Sequence, residues 1–282
     1  MTDSGRDTRW NDPGGLPPSA LAEWSALERR LGERTPVVFL DYDGTLTPIV
    51  PTPDAAVLGD RMRGVVRRLS QRHTTVVVSG RGREDVARLV DLPGLIYAGS
   101  HGFDIAGSTP TKSGGEGGRK AIRHSVAPGL TPLIQEVTGR LQAELSGIEG
   151  VLVEPKGVTV AVHYRLADPG ETARVEDALD RITASTPGLR KALGKKVFEL
   201  RPDLDWDKGR AVLWILDALG MSGESHVPIY LGDDTTDEDA FRAVRAIGVG
   251  IVVADEPRAT EARFSLRNVD EVGSFLERVA TI

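Results

Sequence analysis

Two carboxylates spaced two residues apart, Asp41 and Asp43, stand directly after the apolar run Val37-Val38-Phe39-Leu40. Four apolar residues bounded by Pro36 and an Asp-Gly turn read as a short, fully buried strand. In extended backbone, residues i and i+2 point the same way, so both side chains can address one point just beyond the strand end. At about 4 Å and an effective dielectric near 20 they repel by about 4 kcal/mol. A fold keeps such a pair at a crevice when a cation or a shared proton relieves it. Three more polar clusters follow strands or open helices: Ser79-Gly80-Arg81, Asp207-Lys208-Gly209 and Gly232-Asp233-Asp234-Thr235-Thr236-Asp237-Glu238-Asp239. The four clusters hold the components of Mg²⁺-assisted phosphoryl transfer. A hard cation takes oxygen ligands and keeps several waters, so Asp233 with the Asp41/Asp43 pair suffices, and neither His nor Cys is needed. Lys208 would offset the excess negative charge of carboxylates and phosphate. Ser79 and nearby backbone N–H groups suit phosphate oxygens. Asp41 is then free to attack phosphorus, and Asp43 to protonate the leaving oxygen and later activate water.

The elements that must position these groups follow from periodicity. Ser19 can cap a helix with Leu21, Trp24, Leu27 and Leu31 on one stripe. After the Val37–Leu40 strand come a helix (Met62, Val65, Val66, Leu69), a β-branched strand (Thr74–Val78), a short helix (Glu84–Val90) and a short strand (Leu95–Ala98) closing on Gly99-Ser100-His101-Gly102. Alternating strands and helices predict a doubly wound, mostly parallel α/β sheet, Rossmann-like, with functional groups at the carboxyl ends of the strands. The stretch from Ser108 to Arg119 is Gly- and Ser-rich and reads as a flexible hairpin or linker, since no strand and helix flank it as a nucleotide loop requires. Strands at Val151–Glu154 and Val158–Arg165, joined by a tight turn, must be antiparallel. With a helix on each side and a strand at Val197–Leu200, they predict a separate α+β module. The parallel pattern resumes at Asp207, with strands Val227–Leu231 and Ile247–Ala254 and a C-terminal helix. The expected division is a disordered tail at 1–18, a core of 19–106 and 205–282, and an inserted cap at 107–204.

Composition narrows the class. The chain has 282 residues and a net charge of −6 with both signs interspersed, so neither a nucleic-acid nor a membrane surface is suggested. Cys is absent, which excludes disulfides and thiolate chemistry and fits a reducing cytoplasm. The longest apolar stretch, Ile247 to Ala254, is far too short to span a bilayer, and no signal peptide is visible before residue 19.

Asp41-Tyr42-Asp43-Gly44-Thr45-Leu46, Ser79-Gly80-Arg81, Lys208 and Gly232-Asp233-Asp234-x-Thr236-Asp237-Glu238-Asp239 resemble, in order, the four signature motifs of the haloacid-dehalogenase-like phosphatase superfamily. Within it, the chain after residue 35 is similar to the trehalose 6-phosphate phosphatases. That likeness extends through Gly99-Ser100-His101-Gly102, Val153-Glu154-Pro155-Lys156, His163-Tyr164-Arg165 and Phe198-Glu199-Leu200-Arg201-Pro202. The resemblance implies Asp41 as nucleophile and Asp43 as general acid and base. It implies Mg²⁺ on the Asp41 carboxylate, the Asp43 backbone carbonyl and Asp233, with Asp234 and Asp237 in an outer shell. It further implies phosphate contacts from Ser79, Gly80, Arg81 and Lys208, and a mobile cap whose Glu154, Lys156 and Glu199 hold the hydroxyls of a phosphorylated disaccharide. Two other readings are a phosphatase of another sugar phosphate, such as sucrose phosphate, and a non-catalytic phosphatase-like regulatory domain. Protein partners are not legible.

Blander readings apply at several positions. An acidic helix-start cluster accounts for Glu238 and Asp239. Glu154 and Glu199 each interrupt an apolar strand, which favours a functional role over a solvated edge. His101, beside the expected phosphate site, is read as a substrate contact. His73, His124 and His226 are read as ordinary surface residues.

Overall fold

The computed structural model describes residues 15–110, 118–194 and 196–282. An eight-stranded sheet runs β12-β11-β10-β1-β2-β3-β4-β5. Its parallel members are β1 (Thr35–Leu40), β2 (Thr74–Val78), β3 (Ile96–Gly99), β10 (His226–Gly232), β11 (Val249–Val253) and β12 (Phe264–Leu266). Strands β4 (Asp104–Pro110) and β5 (Arg119–Ser125) add an antiparallel edge. The parallel strands are apolar throughout because helices cover both faces. On β1, Val38 and Leu40 pack with α1 (Trp24–Leu31), α2 (Asp60–Arg72), α3 (Arg83–Val90) and α8 (Val269–Val279). Val37 and Phe39 pack on the other side with α6 (Lys208–Leu219) and α7 (Asp237–Val244).

Register places the chemistry. Leu40 pairs with Leu231 on one side and Val77 on the other, and Val78 pairs with Ala98. The residues that next leave the sheet, namely Asp41, Ser79, Ser100 and Asp233, therefore emerge along one edge. Chain direction across the sheet reverses between β1 and β10, and a crevice opens at such a switch point.

A second, antiparallel sheet runs β6-β7-β9-β8, from β6 (Leu152–Pro155), β7 (Val160–His163), β8 (Leu189–Gly194) and β9 (Val197–Pro202). Helices α4 (Thr131–Leu145) and α5 (Thr172–Ala184) cover one face. Strand alternation sorts β9: Phe198 and Leu200 enter that apolar layer, while Val197, Glu199 and Arg201 face a cavity above the main sheet.

Several expectations are corrected. The expected boundary at 107 falls inside β4, and the Gly-rich stretch links two strands of the main sheet, so that sheet continues to Ser125. Composition could not reveal this, because sheet membership comes from hydrogen bonding to β3. Within the expected tail, residues 1–14 lie outside the described residues, but Pro17 and Pro18 accept hydrogen bonds from Ser265 on β12. The short strands β8 and β12 escaped the periodicity reading, β8 because only Leu189 of its six residues is fully buried. His73 is not a surface residue. It is buried at the end of α2, with Nε2 3.1 Å from the Val279 carbonyl of α8. His124 stacks on Trp214 at 4.2 Å. Among the described residues, no helix is long and apolar enough to cross a membrane.

Phe39 is fully buried at the centre of the sheet. Phe39→Ala should cost about 3–5 kcal/mol, read as a lowered urea midpoint at unchanged slope.

Candidate active site

Lys208 opens α6, the end of a helix where the macrodipole disfavours a cation. Asp207 caps that helix by accepting from the Arg210 N–H. The Lys208 ammonium is buried and donates to Asp41 Oδ1 at 2.8 Å and to Asp237 Oδ1 at 2.7 Å. Burial works to strip its proton, and the carboxylates of Asp237 and Asp41 more than offset this, holding its pKa above the ordinary value. Asp237 has both oxygens engaged. Oδ1 also accepts from the Tyr230 hydroxyl at 2.7 Å, and Oδ2 accepts from the Asp234 N–H at 2.9 Å. Asp237 is thus the bracket that fixes Lys208 and the loop after β10.

Carboxylate oxygens of Asp41, Asp233 and Asp237 lie within 4.8 Å of one another. Burial pushes Asp41 well above the usual carboxylate range; Lys208 pulls it down, while Asp237 and Asp233 push it further up. Lys208 reaches two of these three carboxylates, Asp41 and Asp237. An all-oxygen donor set fits a hard divalent cation. Because Asp237 is occupied, Asp41 and Asp233 are the carboxylates that could hold it. Gly44 lets Asp233 approach. Its φ is +83°, and a Cβ there would lie 2.3 Å from the Asp233 carboxyl carbon.

The carboxylate of Asp43 is turned away from this cluster. Arg81 grips it with two bonds of 2.8 Å, from Nε and from one terminal nitrogen, and is itself held by Asp85 at 3.2 Å. Three guanidinium donors are therefore spent on carboxylates, although Arg81 and Gly80 both line the cavity. Ser79 is buried behind them, its Oγ accepting from the Arg81 N–H at 3.1 Å.

The cavity holds about 430 Å³. Its floor carries Asp41, Lys208, Asp233 and Asp234, and its roof is the polar face of the second sheet. Across that sheet, Glu154, Ala161, Glu199 and Ala192 stand in one cross-strand row, with Ala161 leaving space between the acids and Ala192 beyond Glu199. Glu154 Oε2 lies 2.7 Å from His163 Nε2 and 3.8 Å from Lys156 Nζ. Glu199 is buried, with its oxygens 3.0 Å from His101 Nε2 and 2.8 Å from the Thr159 hydroxyl. Burial alone would raise its pKa; the charge and bond of His101, then Lys156 and Thr159, outweigh it and pull the carboxyl down to about 2.

The structure thus brings Asp41, Asp43, Gly80, Arg81, His101, Glu154, Lys156, Glu199, Lys208, Asp233 and Asp234 around one cavity. Asp237 and Ser79 stand just behind it. Sequence reasoning passed over Tyr230, Thr159 and the apolar rim Ile49–Pro53. For Tyr230 the available signal was a phenol in an otherwise apolar strand, whose hydroxyl needs a buried partner.

Residues 39–270 match the family model described as trehalose-phosphatase. The chain belongs to the trehalose-phosphatase family. It is 41% identical to probable trehalose-phosphate phosphatase D of Arabidopsis thaliana, over 93% of this chain and 72% of that one. It is 43% identical to the trehalose-phosphate phosphatase of Mycobacterium bovis, over 88% and 62%. The C-terminal domain of Candida albicans trehalose-6-phosphate phosphatase shares the fold, with a TM-score of 0.74 at 21% identity, over 95% and 99% of the two chains.

A carboxylate depressed by folding contributes stability above its unfolded pKa and loses it as pH falls through the folded one. For Glu199 that window runs from about 4.5 down to about 2. The melting temperature should fall more steeply between pH 5 and pH 3 in the wild type than in Glu199→Gln, as followed by circular dichroism.

Proposed function

We propose that the chain is a Mg²⁺-dependent phosphatase that hydrolyses trehalose 6-phosphate to trehalose and phosphate. The carrying observation is the buried Lys208 bridge between Asp41 and Asp237, set beneath a roof whose acids Glu154 and Glu199 are each paired with a histidine. Asp41 bonds to phosphorus as the bond from phosphorus to the sugar oxygen breaks. Asp43, once one carboxyl oxygen leaves the Arg81 grip and carries a proton, gives that proton to the departing oxygen. Arg81 holds the Asp43 carboxyl at the cavity wall. As a carboxylate, Asp43 then takes a proton from water. The water oxygen bonds to phosphorus, the bond to Asp41 breaks, and inorganic phosphate leaves. Lys208 orients Asp41 and meets the charge of the transferring group. Asp41, Asp233 and the Asp43 carbonyl would hold Mg²⁺, which when bound would neutralise phosphoryl charge. Glu154, Lys156 and Glu199 would accept from and donate to the sugar hydroxyls, and the closed roof would keep bulk water out. A cytoplasmic location suits a phosphorylated sugar substrate and a chain without cysteine.

Phosphate release from a panel of phosphosugars and 4-nitrophenyl phosphate tests this. Trehalose 6-phosphate should be preferred, and chelation should stop turnover until Mg²⁺ is restored. Asp41→Asn should lower kcat by about a thousandfold or more with the fold intact. Retained activity in that variant would refute the nucleophile. Glu154→Ala and Glu199→Ala should fall by about 100-fold on the disaccharide phosphate and far less on the aryl ester. Equal losses on both would mean that these acids do not read the sugar. An assay flat on every ester would leave a binding domain.

A further inference from the structure

The turn after β3 joins the two halves of the site. Ser100 and His101 both sit in the left-handed region, at φ +50° and +57°, a conformation that costs a non-glycine residue about 1–3 kcal/mol and persists where surroundings enforce it. Four bonds enforce it here. On the core side, the Ser100 N–H donates to the Arg81 carbonyl at 2.7 Å and the His101 N–H to the Ser79 carbonyl at 2.9 Å. On the roof side, the Ser100 hydroxyl donates to the Lys156 carbonyl at 2.7 Å, and His101 Nε2 meets Glu199 Oε2 at 3.0 Å. The imidazole lies flat against Gly80, where a Cβ would stand 2.9 Å from Cε1. Its other nitrogen, Nδ1, is buried with no hydrogen-bond partner among the described residues, and among these Glu199 takes the ring's polar contact.

The geometry points to Ser100-His101 as a clasp that ties the Ser79–Arg81 loop to the two roof residues Lys156 and Glu199. His101 and Ser100 are then positioning residues. Backbone bonds fix them to the loop that faces the phosphate, and side-chain bonds fix the roof segments that face the sugar. Loosening one side of the clasp loosens the other. His101 thus serves sugar selectivity by holding Glu199, and its expected role as a separate contact to the substrate is replaced. This deepens the proposed sugar-phosphate reading and rests on it for the identity of the substrate alone.

Amide hydrogen exchange on the free protein tests the clasp without any substrate. In His101→Ala the amides of Ser79 and Arg81 and that of Lys156 should exchange faster together, by about tenfold. Faster exchange confined to residues 99–102 would overturn the proposal. Should His101→Ala melt too early to measure, Ser100→Ala removes only the hydroxyl bond to Lys156 and carries the same test. Kinetics on trehalose 6-phosphate give the second reading. His101→Ala and Glu199→Gln should each lower kcat/KM by about 10–100-fold, and the double variant should be no more than about threefold worse than the poorer single. Multiplying losses would mean independent sugar contacts and would overturn the clasp. His101→Gln, whose amide nitrogen can stand where Nε2 stands and so keeps an N–H donor for Glu199, should recover most of the loss. A wild type that hydrolyses only other esters would end the substrate reading and leave the exchange result standing.

Discussion

A single buried ammonium organises this molecule's chemistry. Lys208 sits where a helix start, low dielectric and desolvation all oppose a positive charge. It stays charged because Asp41 and Asp237 flank it at 2.8 and 2.7 Å. The arrangement is reciprocal: Asp41 is aimed by the lysine, and the lysine is held by Asp237, which Tyr230 and the Asp234 amide hold in turn. Even so, burial first, and then the charges of Asp237 and Asp233, press Asp41 to take up a proton. A divalent ion at Asp41 and Asp233 would relieve that pressure by meeting their negative charge.

The sheet supplies the precision. Parallel register brings four strand ends to one edge, so groups up to 192 residues apart in the chain (Asp41 to Asp233) meet without any local sequence pattern uniting them. Helices on both faces lock β1 in place through side chains that alternate between two apolar layers. A one-residue slip would exchange those layers and carry Asp41 out of the crevice.

The roof answers a different need. Its antiparallel strands have one face buried against α4 and α5, and the other lined with acids, His163, basic residues and small residues. Pairs such as Glu154 with His163 and Glu199 with His101 favour the ionised acids and orient them in the cavity. The β3 turn binds this roof to the loop beneath it, at the expense of two strained backbones.

Much of this was legible in residue order. The buried run before Asp41, the β-branched strand before Ser79, the cap at Asp207 and the Gly220 stop of α6 are local, short-range signals, and each lies where propensity and periodicity place it. The absence of cysteine likewise excluded disulfides and thiolate chemistry. Partnership was another matter. Nothing local tells Arg81 to grip Asp43, Asp237 to bracket Lys208, or the Gly-rich hairpin to join the main sheet, because those outcomes depend on contacts between distant segments. Sequence determined which groups stand at the ends of which elements; only the tertiary structure decided which of them touch, since a buried charge takes its partner from whatever packing brings within 3 Å.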